Sequence, residues 1–213
     1  MKKLLALLLA LMMLAAAGAA AAETLEIKPG TPSACPPETF KLYFGYMESQ
    51  SGYNFVWDDE IGTDGDYKVY SGKSEDGMMT VNIYSLDGGV VYAEGVGSIT
   101  FDDTPDQDSA RKFGEWFGAS IGGMSFGFYI GENGAESVDE NLSNKYTNDL
   151  LSLVSGMTES MSDEAKLMKG VVFNGSILGY PSGLEVHGTA YGAGGSLEMK
   201  VIVTSADGQL ITK

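Results

Sequence analysis

The sequence predicts an α+β fold: an antiparallel β-sheet from N- and C-terminal strand sets, with two central helices packed on one face. Three observations predict it. Alternating, β-rich runs fill 40–101 and 170–205, broken by turns rich in Gly and Asp. Two stretches between them, 105–130 and 138–156, carry apolar residues at helical spacing. Each of these opens with a capping signal.

The chain starts MKKLLALLLALMMLAAAGAAAAETLE. Lys2 and Lys3 form a basic start, Leu4 to Leu14 an apolar run, and Ala20-Ala21-Ala22 a small-residue cleavage site. This is the pattern of a secretory signal peptide of bacterial type over 1–22, too short in its apolar part for a membrane span. KPGTPSACPPE follows, with four of the six prolines. It predicts an extended Pro-rich linker over 23–38, ahead of a single domain over 39–213.

FKLYFGYM alternates and reads as the first strand of the domain. YNFVW reads as the second, with Tyr53, Phe55 and Trp57 on one face. DYKVYSG, MMTVNIYS and GVVYAEGVGSITF complete an N-terminal meander, joined by IGTDGD, GKSEDG and SLDGG.

TPDQ then opens a helix: Thr104 as N-cap, Pro105 as first helical residue, Gln107 as the capping-box partner. Asp102, Asp103, Asp106 and Asp108 sit where the helix dipole favours negative charge. Along this helix Phe113, Phe117, Ile121, Met124 and Phe128 form one apolar stripe. Gly114, Gly118 and Gly122 flank it, while Trp116, Gly123 and Gly127 lie on the far side. The glycines cost a helix about 1 kcal/mol each relative to alanine, which close approach of a neighbour must offset. The second helix, or the sheet, is the expected neighbour. Two alternatives stay open: a strand over 124–130, where Met124, Phe126, Phe128 and Ile130 alternate, and a membrane span using the GxxxG pattern.

SVDE predicts the second helix, with Ser137 as cap and Glu140 reciprocating. Val138, Leu142, Tyr146, Leu150, Leu153 and Met157 form its stripe. Three C-terminal strands follow in KGVVFNGSILG, GLEVHGTAYG and GSLEMKVIVTS. Pro181-Ser182-Gly183 is read as the first turn and Gly192–Gly195 as the second. Pairing across the second puts Val186 opposite Val201, Leu184 opposite Val203, His187 opposite Lys200 and Thr189 opposite Glu198. MTVNIYSLDGG and MKVIVTSADGQ share five identities at an offset of 120, which raises a duplicated three-stranded unit.

Composition excludes several functions. Loss of Lys2 and Lys3 with the leader takes Lys+Arg from 13 to 11 against 29 Asp+Glu, so the formal charge goes from −16 to −18. Such a chain repels nucleic acid and anionic polymers. Cys35 is the one cysteine, so no internal disulfide forms. His187 is the one histidine, on the polar face of its strand, and no nucleophile elbow supports a triad. No cofactor motif, phosphate loop or zinc set is present, so no cofactor, metal or catalytic residue is assigned. Asp58, Asp59, Glu60, Asp64 and Asp66 crowd one turn without EF-hand spacing.

With Met79, Val81 and Ile83 facing the core, alternation places Tyr70, Tyr84 and Tyr92 on the uncovered sheet face, where tyrosines anchor proteins or stack sugars. The expected function is therefore a secreted or cell-surface, soluble, non-enzymatic binding module. It takes an unknown protein or glycan on that face and is monomeric, with no stable membrane span once the leader is removed. The alternative is a secreted carboxylate-dependent hydrolase, with or without calcium.

Overall fold

The computed structural model describes residues 24–50, 54–101, 107–160, 170–188 and 195–213. The leader over 1–22, Tyr53, the Thr104-Pro105 cap with Asp102, Asp103 and Asp106, and Thr189 with the second turn over 192–194 lie outside the described residues.

The fold is α+β, as the alternation predicts. Eight strands form one antiparallel sheet in the order β2-β4-β5-β6-β9-β8-β7, with β3 also paired to β4. These are β2 (Phe55–Trp57), β3 (Gly62–Asp64), β4 (Tyr67–Ser74), β5 (Met79–Leu86), β6 (Gly89–Phe101), β7 (Val171–Ile177), β8 (Tyr180–Gly188) and β9 (Gly195–Thr204). The two meanders meet at the centre, where β6 pairs with β9. The sequence echo matches β5 to β9, whereas this order places β9 opposite β6.

Three helices lie on one face: α1 (Pro37–Gln50), α2 (Gln107–Asn133) and α3 (Glu140–Ser160). The first corrects the sequence reading, since FKLYFGYM is helical. Its pattern satisfies both periods. Phe40 and Phe44 share a face at a spacing of two strand repeats and also at one helical turn. The proline pair decides for the helix. Pro37 takes the first helical position, Glu38 lies in the first turn, and Phe40 N–H donates to Pro36 O at 3.0 Å. Phe40 and Phe44 are then fully buried, while Leu42 is 67% exposed.

That helix also explains the glycines. In α2, a Cβ at Gly123 would lie 2.8 Å from the Phe44 ring, one at Gly127 3.0 Å from the Phe40 ring, and one at Gly131 2.1 Å from Cys35 Sγ. These three positions, four apart, are the bed of α1 and the segment before it. The Gly118–Gly122 flank receives α3, as expected: Tyr146 Oη donates to Gly118 O at 2.9 Å and covers Gly122. The stripe of Phe117, Ile121, Met124 and Phe128 is fully buried. Trp116 rests over Gly95 and Gly97 of β6. The 124–130 segment is thus helix, not strand. Among the described residues no helix is long and apolar enough to cross a membrane.

The cap of α3 is Asp139 rather than Ser137. A 3₁₀ turn over Ala135–Ser137 delays the helix, and Ser137 Oγ donates to Gly134 O within it. Asp139 Oδ1 instead accepts from Leu142 N–H at 2.8 Å, three residues into the helix.

The first C-terminal turn is Leu178-Gly179, with φ of 58° and 99°, closing the Ile177↔Tyr180 pair. Asp149 Oδ2 holds Leu178 N–H at 2.8 Å. Pro181 therefore lies inside β8, just before the β8–β9 ladder begins at Ser182↔Val203, where its missing N–H is tolerated. The β8–β9 register is Leu184↔Val201, Glu185↔Lys200 and His187↔Glu198, two residues from the predicted one. A two-residue offset keeps every side chain on its face, so the predicted burial of Leu184 and Val186 holds while the cross-strand partners change.

Residues 24–36 are extended, and the structure gives them partners. Strand β1 (Leu25–Lys28) pairs with β10 (Gln209–Thr212) as a separate two-stranded ribbon. Thr31 N–H and Oγ donate to Asp207. Ser33 N–H then donates to Val90 O, and Val90 N–H to Cys35 O. The segment rounds the end of the sheet and delivers Cys35, fully buried, to the helix layer.

Candidate functional site

The sheet face away from the helices is only partly covered. Gly183 in β8 lies between the core-facing Ser182 and Leu184, so a Cβ there would point to the open face. It would meet Leu25 Cδ1 at 2.7 Å and Leu210 Cδ1 at 2.8 Å. The β1–β10 ribbon therefore lies on this face, over β8, and Ile202 beside it in β9 is fully buried. Glu185 Oε2 accepts from Leu25 N–H at 3.0 Å, and Glu185 Oε1 lies 2.5 Å from His187 Nε2. Over β4, β5 and β6 no described element covers the face: Val96 is 42% exposed, while Tyr67 and Tyr84 are half-buried and Tyr92 is buried.

Alternation and register fix what stands there. Tyr84 is opposite Tyr92, Asn82 opposite Glu94, and Thr80 opposite Val96. On β4, Val69 is opposite Tyr84 and Ser71 opposite Asn82, which puts Tyr67 on the same face. Tyr84 and Tyr92 stack, with centroids 4.1 Å apart and planes at 13°. Tyr67 meets both edge-on, at 6.4 Å and 5.8 Å. Such pairs add about 0.5–1.5 kcal/mol beyond burial.

A polar row runs beside the rings. Ser71 Oγ donates to Asn82 Oδ1 at 2.8 Å, and Tyr84 Oη donates to Glu94 Oε1 at 2.9 Å. Lys200 Nζ, reaching in from β9, lies 3.2 Å from Glu94 Oε2. Burial pushes the Tyr84 phenol well above its usual range, and the Glu94 charge and hydrogen bond push it further. Tyr92 moves the same way, through burial first and then Glu94 and Asp64. Both rings stay neutral and Glu94 is the acceptor. The row offers an amine, amides and hydroxyls but no activated nucleophile.

Of the three tyrosines predicted here, the structure brings two together. Tyr70 is on the other face. It pairs with Ile83, a core residue, and Lys41 Nζ of α1 lies 5.7 Å from its ring centroid. The alternation of Tyr67 and Val69 against Lys68 and Tyr70 was legible; which pair faced out depended on register with β5. Tyr67 was missed for the same reason; the alternation that turns out Tyr84 and Tyr92 turns out Asn82 and Glu94 with them, and Lys200 joins through the β6–β9 pairing. Pairing across the Glu75–Met78 loop, which sets Val69 against Tyr84, was the signal available.

Other acidic and cysteine positions assemble nothing comparable. Asp58, Asp59, Glu60, Asp64 and Asp66 are all exposed. Among the described residues no three His, Cys, Asp or Glu side chains converge as a metal ion requires. Cys35 is buried against α2, its thiol 3.4 Å from Gly127 O. Compared with known protein families, curated proteins and solved structures, the chain matches none of them.

Proposed function

We propose that the chain is an exported, soluble, non-enzymatic binding module whose partner, a protein or a glycan, docks on the bare half of the open sheet face. One observation supports this reading: the β1–β10 ribbon covers the β8 side of that face but leaves Val96 exposed, and Tyr67 and Tyr84 half-buried, beside the Glu94–Lys200 pair. A flat patch that mixes aromatic edges, one exposed aliphatic side chain and paired polar groups suits a partner surface or an extended sugar chain. Export rests on the leader at the start of the sequence.

The test is binding of the purified protein to a panel of glycans and extracellular proteins, followed by substitution on each layer. Tyr67→Ala with Val96→Glu is expected to weaken any ligand found at least tenfold with the fold retained. Leu42→Ser, on the helix layer, is the control and is expected to leave affinity unchanged. A ligand that tolerates the sheet-face changes sinks the assignment of that face.

A further inference from the structure

Lys200 stands on the open face between two carboxylates. On one side it is directly opposite Glu185 of β8. On the other it is opposite Val96 of β6, and Glu94 lies two residues further along that strand. Cβ atoms of directly opposed residues are about 4.5–5.5 Å apart, so register makes Glu185 the nearer carboxylate. Yet Lys200 Nζ lies 3.2 Å from Glu94 Oε2. Exposure does not decide this, since the Glu94 side chain is 14% exposed and that of Glu185 13%.

Occupancy does. Each oxygen of Glu185 already has a donor: Oε2 accepts from Leu25 N–H of the ribbon at 3.0 Å, and Oε1 from His187 Nε2 at 2.5 Å. Nε2 carries the proton there, because a carboxylate only accepts. At Glu94, Oε1 accepts from Tyr84 Oη at 2.9 Å and Oε2 is met by Lys200. The other charged groups nearby do not compete. Glu198, opposite His187 in β9, is exposed, where an ion pair gains little. Glu26 and Lys213 on the outer side of the ribbon pair with each other.

We infer that Lys200 is a switchable cation, kept on Glu94 because the ribbon and His187 fill Glu185. Taking a donor from Glu185 leaves a half-buried carboxylate oxygen unmet and draws Lys200 across to it. Glu94 is then left beside Tyr84 as a carboxylate without its cation. The charge that the patch offers a partner is thus set at the ribbon's border: a neutral pair while β1 is seated, an anion once it lifts. In its consequence for docking this rests on the sheet-face reading; as a statement about Lys200 it does not.

Double-mutant cycles on the purified protein, read by urea unfolding, test the switch without any ligand. Lys200→Met is combined with Glu94→Gln and, separately, with Glu185→Gln, in the unchanged protein and in His187→Leu. In the unchanged protein Lys200 is expected to couple to Glu94 by at least threefold in the unfolding constant, and more strongly than to Glu185. In His187→Leu that order is expected to reverse. His187→Gln keeps a donor for Glu185 and is expected to keep the original order. An unchanged order in His187→Leu, a reversed one in His187→Gln, or a stronger Glu185 coupling in the unchanged protein would each overturn the inference. Should His187→Leu fail to fold, His187→Ala takes its place. For a ligand bound on the sheet face, His187→Leu is expected to shift affinity at least threefold and Lys200→Met to cancel that shift. A ligand indifferent to both, while the couplings reverse, overturns the docking consequence and leaves the Lys200 switch standing, so the two failures are told apart.

Discussion

Cys35 and Gly131 occupy one space: a Cβ at position 131 would sit 2.1 Å from Cys35 Sγ and 2.4 Å from Cys35 Cβ. The buried thiol and the bare helix backbone are a lock between the N-terminal segment and α2. Gly131→Ala is therefore expected to destabilise by about 1–3 kcal/mol through overpacking, despite the gain in helix propensity. Gly45 in α1 has nothing within 4 Å of its Cβ position. Gly45→Ala is expected to stabilise by about 0.5–1 kcal/mol. Urea unfolding of both variants checks the contrast, and two shifts of the same sign would refute it.

The Cys35 thiol is pushed up to about 12 from 9.0, by burial first and then by the Glu132 charge. Its folded-state value is raised, so its contribution to stability is complete below pH 9 and is lost as pH climbs toward 12. Tyr84, Tyr92 and Tyr180 shift upward too, from 10.0, and add to the same alkaline loss. Denaturation midpoints should fall from pH 9 upward, and Cys35→Ala should reduce that slope between 9 and 12. At pH 8 a thiol reagent should label the native protein only at its unfolding rate; rapid labelling would contradict the burial.

Asp139 is held below the usual carboxylate range, chiefly by the Leu142 N–H. Its lowered value means the cap is present above about pH 4 and lost as pH falls below it. Asp139→Ala should lower Tm and speed amide exchange in the first turn of α3. Ser137→Ala should leave that turn's exchange unchanged, since Ser137 bonds within the preceding 3₁₀ turn.

Gly183→Val should lift the ribbon. The new side chain would displace Leu25 and Leu210 from the sheet. A loss of about 1–3 kcal/mol is expected, concentrated at the ribbon, with faster exchange at the Leu25 amide and proteolytic cuts near Lys28. Protection of Leu25 equal to that of the unchanged protein would show that the ribbon is held elsewhere.

Residues whose meaning is local were legible. The stripe from Phe117 to Phe128, the alternation of Met79, Val81 and Ile83, and the Gly118–Gly122 seat for the second helix all follow from periodicity. Three features were not, because each depends on something distant. Phe40, Leu42 and Phe44 fit two periods, and only the bed at Gly123 and Gly127 and the start at Pro37 choose the helix. The Leu178-Gly179 turn needs a leucine at positive φ, which burial and Asp149 make acceptable and no turn preference announces. The outward set of tyrosines hinged on β4–β5 register, where a shift of one residue exchanges Tyr70 for Tyr67.

The β1–β10 ribbon also has a consequence in time. Thr24 and Lys213 exchange backbone hydrogen bonds, so the earliest and latest described residues close on each other. A chain emerging N-terminus first holds β1 idle until β10 arrives, and closure of so long a loop is slow. Until then Ile202 and the Gly183 trough stay wet. A chain clipped before β10 would keep that strip of sheet bare.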